Sequence, residues 1–171
     1  MLLGAPLAMA AALVPLALLS DIFDGKIARA QGTVTELLRR ADGWADNAFT
    51  LSYSLFVLIF YWQVLAPYAP AIAALGGLRG ARAVLDFIRY GRGSAYHLYS
   101  AKAWGLSFYL VLFLILTGGP LGAAMTVMIV LGLINTVEGM IATALIPHWI
   151  YDAPHLVAAL RKGGVLAPKE R

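Results

Sequence analysis

The sequence predicts an all-α, polytopic membrane protein, and three features of the chain lead to that fold class. Hydrophobic residues make up 61% of the 171 residues and charged residues only 13%, with a mean hydropathy of +0.78. Such values are typical of integral membrane proteins. Apolar segments of roughly 20 residues or more, long enough to cross a bilayer, follow one another along the chain. The basic residues fall into separate blocks between these segments. Together these features predict a transmembrane helical bundle of about five spans.

The predicted spans follow in order, and each has its own character. The first ends in a charged motif, and it contains Pro6 and Pro15, which membrane helices tolerate. The second begins with charged residues and then becomes continuously apolar. The third carries arginines in one half, and the last two are almost uncharged. The approximate segments are 2–30, 35–65, 69–90, 96–117 and 121–146.

A short tail follows the last predicted span. Trp149, Tyr151 and Leu160 stand beside Arg161 and Lys162 there, and this composition favours a helix at the membrane–water interface. We therefore expect a transmembrane domain over residues 1–147 and an interfacial or cytoplasmic tail over residues 148–171.

The placement of charge predicts orientation. The turns near 67–70 and 118–120 carry no charge, whereas all 13 Lys and Arg lie in three blocks, so the positive-inside rule places these blocks in the cytoplasm. We expect a plasma membrane protein, such as one of the bacterial inner membrane, whose polar cavity opens to the cytoplasm. Nucleic-acid binding is disfavoured because spans separate the blocks. The blocks are Lys26, Arg29, Arg39 and Arg40; Arg79, Arg82, Arg89, Arg92 and Lys102; Arg161, Lys162, Lys169 and Arg171.

Four aspartates, Asp21, Asp24, Asp42 and Asp46, are the main candidates for function. A carboxylate within a membrane is costly unless a cation compensates it. Spacings of three and four residues place each pair on one helix face. Two such faces opposed would form an all-oxygen pocket suited to Mg²⁺ or Mn²⁺. Ion pairs with the first basic block are the structural alternative. The chain has no cysteine, which excludes disulfides, thiolate metal sites and cysteine nucleophiles.

The segment from Asp21 to Asp46 closely resembles the signature of the CDP-alcohol phosphotransferases, D-x2-D-G-x2-A-R-x8-G-x3-D-x3-D. Seven of its eight fixed positions match, and Leu38 replaces the glycine at the sixth, which alters the local shape of the predicted pocket. The matching residues are Asp21, Asp24, Gly25, Ala28, Arg29, Asp42 and Asp46.

The resemblance implies an integral membrane enzyme of phospholipid biosynthesis with six spans and both ends in the cytoplasm. In that family the signature bridges the second and third spans. Here it begins in the first predicted span, so span counting places Met1 outside. This predicts either a shortened variant or a start assigned downstream of the true one.

The resemblance also implies a reaction. The hydroxyl of a small alcohol displaces CMP from a CDP-alcohol, usually CDP-diacylglycerol, with two Mg²⁺ or Mn²⁺ ions neutralising the phosphates. By analogy Asp21, Asp24 and Asp42 hold the metal, and Asp46 is shared between metal binding and deprotonation of the acceptor.

Substrate-binding residues are expected in two places. Gly25 and Ala28 leave room for the cytidine, and Arg29 pairs with a phosphate. Arg82 and Arg89 are seven residues apart on one helix face, where they form a basic pocket for a phosphorylated acceptor. Glycerol 3-phosphate is the first expectation, with inositol phosphate, serine and other acceptors left open.

Several polar residues leave alternatives open. Arg79, Arg82 and Arg89 serve either that pocket or positive-inside flanking with pairing to Asp86, and Lys102 serves the pocket or extends to the headgroups. Glu138 is isolated in an apolar segment, which predicts a buried partner such as an arginine. The small residues of 71–83 suit close helix packing, within the chain or in a homodimer.

Two other functions compete with the enzyme. One is a non-catalytic membrane relative that keeps the fold. The other is a divalent-cation transporter that uses the same carboxylates. The transporter predicts a second polar site across the membrane, and the uncharged outer turns disfavour it.

Overall fold

The computed structural model describes residues 9, 11–17, 19–20, 23 and 36–167, and over 36–47 it describes the backbone only. These residues are helical apart from connecting segments, and no strand occurs among them; a single isolated bridge joins Ala95 to Tyr151. The predicted all-α class is confirmed for this part of the chain. We label the helical residues 11–17 α1, followed by α2 (Glu36–Phe60), α3 (Trp62–Leu65), α4 (Ala69–Tyr90), α5 (Tyr99–Thr117), α6 (Gly122–Leu145) and α7 (Leu156–Lys162).

The chain divides into two compact units. The first contains the described residues up to Pro67 together with Tyr109–Leu121, and the second contains Tyr68–Phe108 and residues 122–167. Helix α5 therefore contributes its first half to the second unit and its second half to the first.

In the first unit, the predicted second span is interrupted. Tyr61 adopts φ −121° and ψ 23°, so α2 ends at Phe60 and the one-turn α3 begins at Trp62. The Tyr61 amide still donates to Val57 O at 2.9 Å, which continues the hydrogen-bonding of α2 up to the break. Phe60 and Trp62 are exposed on either side of the break.

In the second unit, α4 packs along α6, and α7 packs on the end of α6. Pro70 in the first turn of α4 costs no hydrogen bond there, and Gly91 ends the helix in a left-handed conformation at φ 68°. A buried apolar cluster joins the end of α6 to α7. It contains Tyr96, Leu98, Ala142, Ile146, Ile150, Ala153, Ala159 and Leu160.

The two connections of this unit pair with each other, and we call residues 91–98 and 146–155 the loop pair. The Asp152 amide donates to Ala95 O at 3.0 Å, the Ala153 amide to Tyr96 O at 2.6 Å, and the Tyr99 amide to Pro154 O at 2.8 Å. These three bonds satisfy backbone groups of the two connections and hold the loops side by side.

Among the described residues, α5 and α6 are each long and apolar enough to cross a membrane. The number rises to three if the bent pair Ala48–Phe60 and Trp62–Tyr90 is counted as one span. Large apolar side chains such as Leu110, Val127 and Ile134 remain exposed along α5 and α6. Outward-facing apolar side chains on such helices are what a lipid environment requires.

The predicted tail helix is present as α7, but it is not only interfacial. Ala159 and Leu160 are buried, whereas Arg161 and Lys162 are exposed. The His155 side chain caps the helix by accepting from the Ala158 amide at 3.1 Å. The tail therefore docks on the bundle by one face and presents its basic residues outward.

Candidate functional site

The predicted metal site lies largely outside the described residues. Nothing is described at Asp21 or Asp24, and at Asp42 and Asp46 only the backbone is described. Helix α2 runs without a break through the latter pair, so these two aspartates are four residues apart in continuous helix. Gly25, Ala28 and Arg29 also lie outside the described residues. Among the side chains that the structure gives, no group of three His, Asp or Glu residues converges as a metal site.

The second unit contains a polar cavity of about 630 Å³. Its wall comes from the C-terminal half of α4, the first loop of the loop pair, the start of α5 and the middle of α6. Arg79, Arg82, Asp86, Ser94, His97 and Asn135 supply its polar side chains.

Arg82 is held at this wall by contacts with α6, with the 91–98 loop and with Asp86 of its own helix. Its Nη1 donates to Asn135 O at 3.3 Å, its Nη2 donates to Ser94 Oγ at 3.1 Å, and its Nε lies 3.9 Å from Asp86 Oδ2. This confirms the pairing with Asp86 that the sequence offered as one alternative. The guanidinium is fixed in place and still borders the cavity.

Asp86 is buried and has donors on both oxygens. Thr143 Oγ1 donates to Oδ1 at 2.6 Å, while Ser94 donates to Oδ2 through Oγ at 2.7 Å and through its amide at 3.3 Å. Tyr96 OH in turn lies 3.0 Å from Thr143 Oγ1. Hydrogen bonds to a charged group are the strong ones, so this network fixes α4, the loop pair and α6 around one carboxylate.

Arg79 is bonded differently. Its guanidinium carbon lies 3.9 Å from the centroid of the Trp104 ring, a cation–π contact between α4 and α5. Its Nη1 is buried and makes no hydrogen bond within the described part of the chain. The cavity wall thus carries two guanidinium groups, of which Arg82 faces a carboxylate and Arg79 does not.

His97, in the first loop of the loop pair, also lines the cavity. Both His97 and Asp152 adopt left-handed backbone conformations, at φ 56° and φ 50°, which are uncommon for residues other than glycine. His97 Nδ1 lies 2.7 Å from Asp152 Oδ1. This contact joins the two strained residues and holds the loops in register beside the cavity.

The family model of CDP-alcohol phosphatidyltransferases matches residues 1–143. The chain belongs to this family. No curated protein and no solved structure matches it. Membership identifies a transferase of phospholipid biosynthesis that moves a phosphatidyl group from a CDP-alcohol to an acceptor. Together with the apolar helices, it identifies an integral membrane protein.

Arg89 and Lys102, the other basic residues considered for the acceptor pocket, do not line the cavity. Arg89 is exposed, and its Nη2 donates to Ile146 O at 3.2 Å, near the C-terminal end of α6. Lys102 is exposed, with Nζ 5.6 Å from the Tyr99 ring centroid, which fits the reading that it extends towards headgroups.

Glu138 has partners that the sequence did not suggest. It accepts hydrogen bonds from Ser100 Oγ at 2.5 Å and from the Leu156 amide at 2.8 Å, and neither is an arginine. Asn135 Nδ2 donates to the same Ser100 Oγ at 3.2 Å. The expectation of an arginine partner is therefore wrong, because the carboxylate instead ties α6 to α5 and to the start of α7.

Three residues of the site, Ser94, Asn135 and Thr143, were not predicted from the sequence. A signal was present for two of them. Asn135, Gly139 and Thr143 recur every four residues in a largely apolar segment, a spacing that places them on one helix face. That face is the one that meets Arg82 and Asp86 of α4. Ser94 lies in a connection and carries no comparable pattern.

Proposed function

We propose that this protein transfers the phosphatidyl group of CDP-diacylglycerol to a small phosphorylated alcohol, with glycerol 3-phosphate first among the acceptors, and releases CMP. The observation that carries the reaction class is the family match over residues 1–143. The observation that favours a phosphorylated acceptor is the cavity wall, on which Arg79 has no carboxylate partner among the described side chains.

The signature aspartates are proposed as the catalytic centre. Asp21, Asp24, Asp42 and Asp46 would hold Mg²⁺ or Mn²⁺. Their donor set fits these hard cations because it is entirely carboxylate oxygen, and unbroken helix through Asp42 and Asp46 keeps the second pair one turn apart. The bound ions would supply charge neutralisation at the attacked phosphate and at the CMP leaving group.

The remaining roles follow the signature. Asp46 accepts the proton of the acceptor hydroxyl, which makes that oxygen a nucleophile towards the phosphorus atom bearing the diacylglycerol. Gly25 and Ala28 leave space for the cytidine because neither carries a bulky side chain. Arg29 donates to a phosphate oxygen of the donor lipid.

The acceptor phosphate is proposed to bind in the cavity of the second unit. The wall carries two guanidinium groups, Arg79 and Arg82, and one carboxylate, Asp86, so the positive charges outnumber the negative one. An ionised group at membrane depth is stabilised by an opposite charge, and a guanidinium matches the geometry of phosphate oxygens. Arg89 does not line this cavity, and it remains a predicted substrate contact outside the wall.

The proposed arrangement in the membrane has five spans, near 2–30, 35–65, 69–90, 96–117 and 121–146, and the signature begins in the first of them. The basic blocks and the polar cavity face the cytoplasm, by the positive-inside rule, in a membrane such as the bacterial inner membrane. A homodimer through the small residues of 71–83 is part of the same proposal.

The deciding experiment is release of CMP by purified protein in detergent, with CDP-diacylglycerol, Mg²⁺ and a panel of acceptors. We expect release with glycerol 3-phosphate and its loss when a chelator removes the metal. Asp46→Asn should lower turnover by at least about 100-fold, since a positioned base contributes 10²–10⁴-fold.

Glu36→Gln is the matched control for Asp46→Asn. It makes the same charge change in α2 at a position that the signature does not fix, and it should retain wild-type turnover. Asp46→Asn with unchanged turnover would refute the role of Asp46. A folded protein that binds the donor but releases no CMP with any acceptor would be a non-catalytic family member, and metal transport across vesicles would favour the transporter.

A second experiment tests the phosphate site. Arg79→Gln should raise the KM for glycerol 3-phosphate roughly tenfold or more, because a hydrogen bond to a charged group contributes about 1.5–3 kcal/mol. The KM for CDP-diacylglycerol should stay unchanged. Arg89→Gln tests the remaining predicted contact in the same assay. Lys102→Gln, outside the cavity wall, is the control, and an equal effect there would refute a local phosphate site.

A further inference from the structure

A row of two cations and two aromatic rings runs across the loop pair and onto α7. The guanidinium carbon of Arg92 lies 3.9 Å from the Trp149 ring centroid, and the ring centroids of Trp149 and Tyr151 are 5.7 Å apart. Lys162 Nζ lies 4.4 Å from the Tyr151 ring centroid. We call Arg92, Trp149, Tyr151 and Lys162 the cation–aromatic row. None of the four lines the cavity.

The row is held in place by hydrogen bonds as well as by stacking. Trp149 Nε1 donates to Gly93 O at 3.1 Å, which ties the indole to the opposite loop. Lys162 Nζ donates to Tyr151 O at 2.6 Å, which ties α7 to the loop that precedes it. The positions of both cations are therefore set by the fold, and a ligand that meets them has little side-chain ordering to supply.

The two cations are exposed and carry uncompensated charge. Among the described side chains, carboxylates approach Arg82 and His97, from Asp86 and Asp152, and none approaches Arg92 or Lys162 within ion-pair distance. Arg92, Tyr151 and Lys162 are exposed, and Trp149 is half-buried. A ring face attracts a cation but does not neutralise it, so each cation remains available to an anion.

We propose that the cation–aromatic row is a binding site for the anionic headgroup of a membrane phospholipid. Tyrosine and tryptophan concentrate at the membrane–water interface, where one end of the side chain is apolar and the other is wet. Lysine and arginine at that depth attract anionic headgroups. Exposed apolar side chains lie close by in the sequence, at Val157 and Val165, and they suit a lipid surface better than a soluble anion.

The site can be tested without any reaction. The protein is placed in phosphatidylcholine bilayers that contain a fixed fraction of brominated phosphatidylglycerol or, separately, brominated phosphatidylcholine. The bromine atoms quench nearby tryptophan emission, and the contribution of Trp149 is the difference from the same protein carrying Trp149→Phe. We expect stronger quenching of Trp149 by the anionic lipid. Arg92→Gln and Lys162→Gln should each lower this preference about tenfold, because each removes a positioned, charge-assisted hydrogen bond to the headgroup phosphate.

Arg161→Gln is the matched control. Arg161 is exposed on α7 beside Lys162, and its substitution makes the same change in net charge outside the row. It should leave the lipid preference within about twofold of wild type, as expected of a charge that the row does not position. Equal quenching by both lipids in the wild type would overturn the proposal. An equal loss in Arg161→Gln and Lys162→Gln would also overturn it, because the attraction would then be general charge. The result is independent of the proposed catalysis, since no donor, acceptor or metal is present.

Discussion

Asp86 shows how a single residue organises the described site. Its carboxylate accepts from Thr143 and twice from Ser94, and Arg82 stands beside it. A buried charge is tolerated only when such partners are present. Removing one donor leaves a charged oxygen partly unsatisfied, which costs more than the hydrogen bond itself contributed.

Because an unsatisfied buried charge costs more than the hydrogen bond contributes, Thr143→Val should destabilise the protein. The substitution keeps the size of the side chain but removes the hydroxyl that donates to Asp86 Oδ1 and contacts Tyr96 OH. We expect the free energy of unfolding to fall by about 1–3 kcal/mol, measured by titration with a denaturing detergent in mixed micelles.

Thr126→Val is the matched control for this prediction. Thr126 is on the same helix, is exposed, and donates only within the helix, to Gly122 O at 3.0 Å. Its substitution should change the free energy of unfolding by less than about 0.5 kcal/mol. A similar loss in both variants would mean that threonine in α6 acts through the helix and not through Asp86.

At the level of elements, the contact between α4 and α6 depends on close approach at two glycines. A Cβ atom at Gly139 would overlap the guanidinium of Arg82, and one at Gly132 would lie 2.7 Å from Leu75 and 2.8 Å from Trp104 Nε1. Helices in membranes use small residues in this way to bring large neighbours close. Gly139 thus makes the space in which Arg82 reaches the cavity wall.

Gly139→Ala should therefore be destabilising, although alanine is the better helix former by about 1 kcal/mol. The overlap with Arg82 forces a shift, and overpacking of this kind costs about 1–3 kcal/mol. The KM for glycerol 3-phosphate should rise as Arg82 is displaced. Gly105→Ala in α5, where an added Cβ meets nothing within 4 Å, should be neutral or slightly stabilising. Equal behaviour of both variants in thermal unfolding would contradict the packing argument.

The helices could be predicted from the sequence because the length of an apolar segment is a local property of the chain. The third segment was predicted at 69–90 and is observed at Ala69–Tyr90, and the fifth was predicted at 121–146 and is observed at Gly122–Leu145. The fourth starts at Tyr99 and not near 96, because Tyr96 and Ala95 bond to the distant loop of residues 151–153. The break at Tyr61 was not predicted, because no proline or glycine lies near it in the sequence.

The partners within the site were less predictable. That Arg82 and Asp86 meet follows from their four-residue spacing. The bonds from Thr143 to Asp86 and from Leu156 to Glu138 join positions that are 57 and 18 residues apart. Which of several donors reaches a buried carboxylate depends on how helices pack, and a single sequence does not specify that packing.

At the level of the whole molecule, charge and apolar surface are separated along the chain. The 91–98 loop follows Arg89 and contains Arg92, whereas the turn at 118–120 carries no charge and is bent by Gly118 at φ 70°. If α5 crosses the membrane, the positive-inside rule places the loop in the cytoplasm and the turn outside.

Single cysteines can test this orientation directly, because the chain has none of its own. Gly93 and Pro120 are both exposed. In intact spheroplasts, Pro120→Cys should react with a membrane-impermeant maleimide, and Gly93→Cys should react only after permeabilisation. The reverse pattern would invert the topology, and labelling of both in intact cells would contradict a span between them.

The pairing of the two loops also sets an order of events during synthesis. Residues 93–98 form part of the cavity wall. Three of their carbonyl groups accept hydrogen bonds from the later loop, one from the Trp149 indole and two from the amides of Asp152 and Ala153. The ribosome makes those partners more than fifty residues later, after α5 and α6. The cavity wall therefore cannot be completed while the earlier helices enter the membrane. A nascent chain stopped before residue 149 would carry every arginine of the wall without these three contacts to the 91–98 loop.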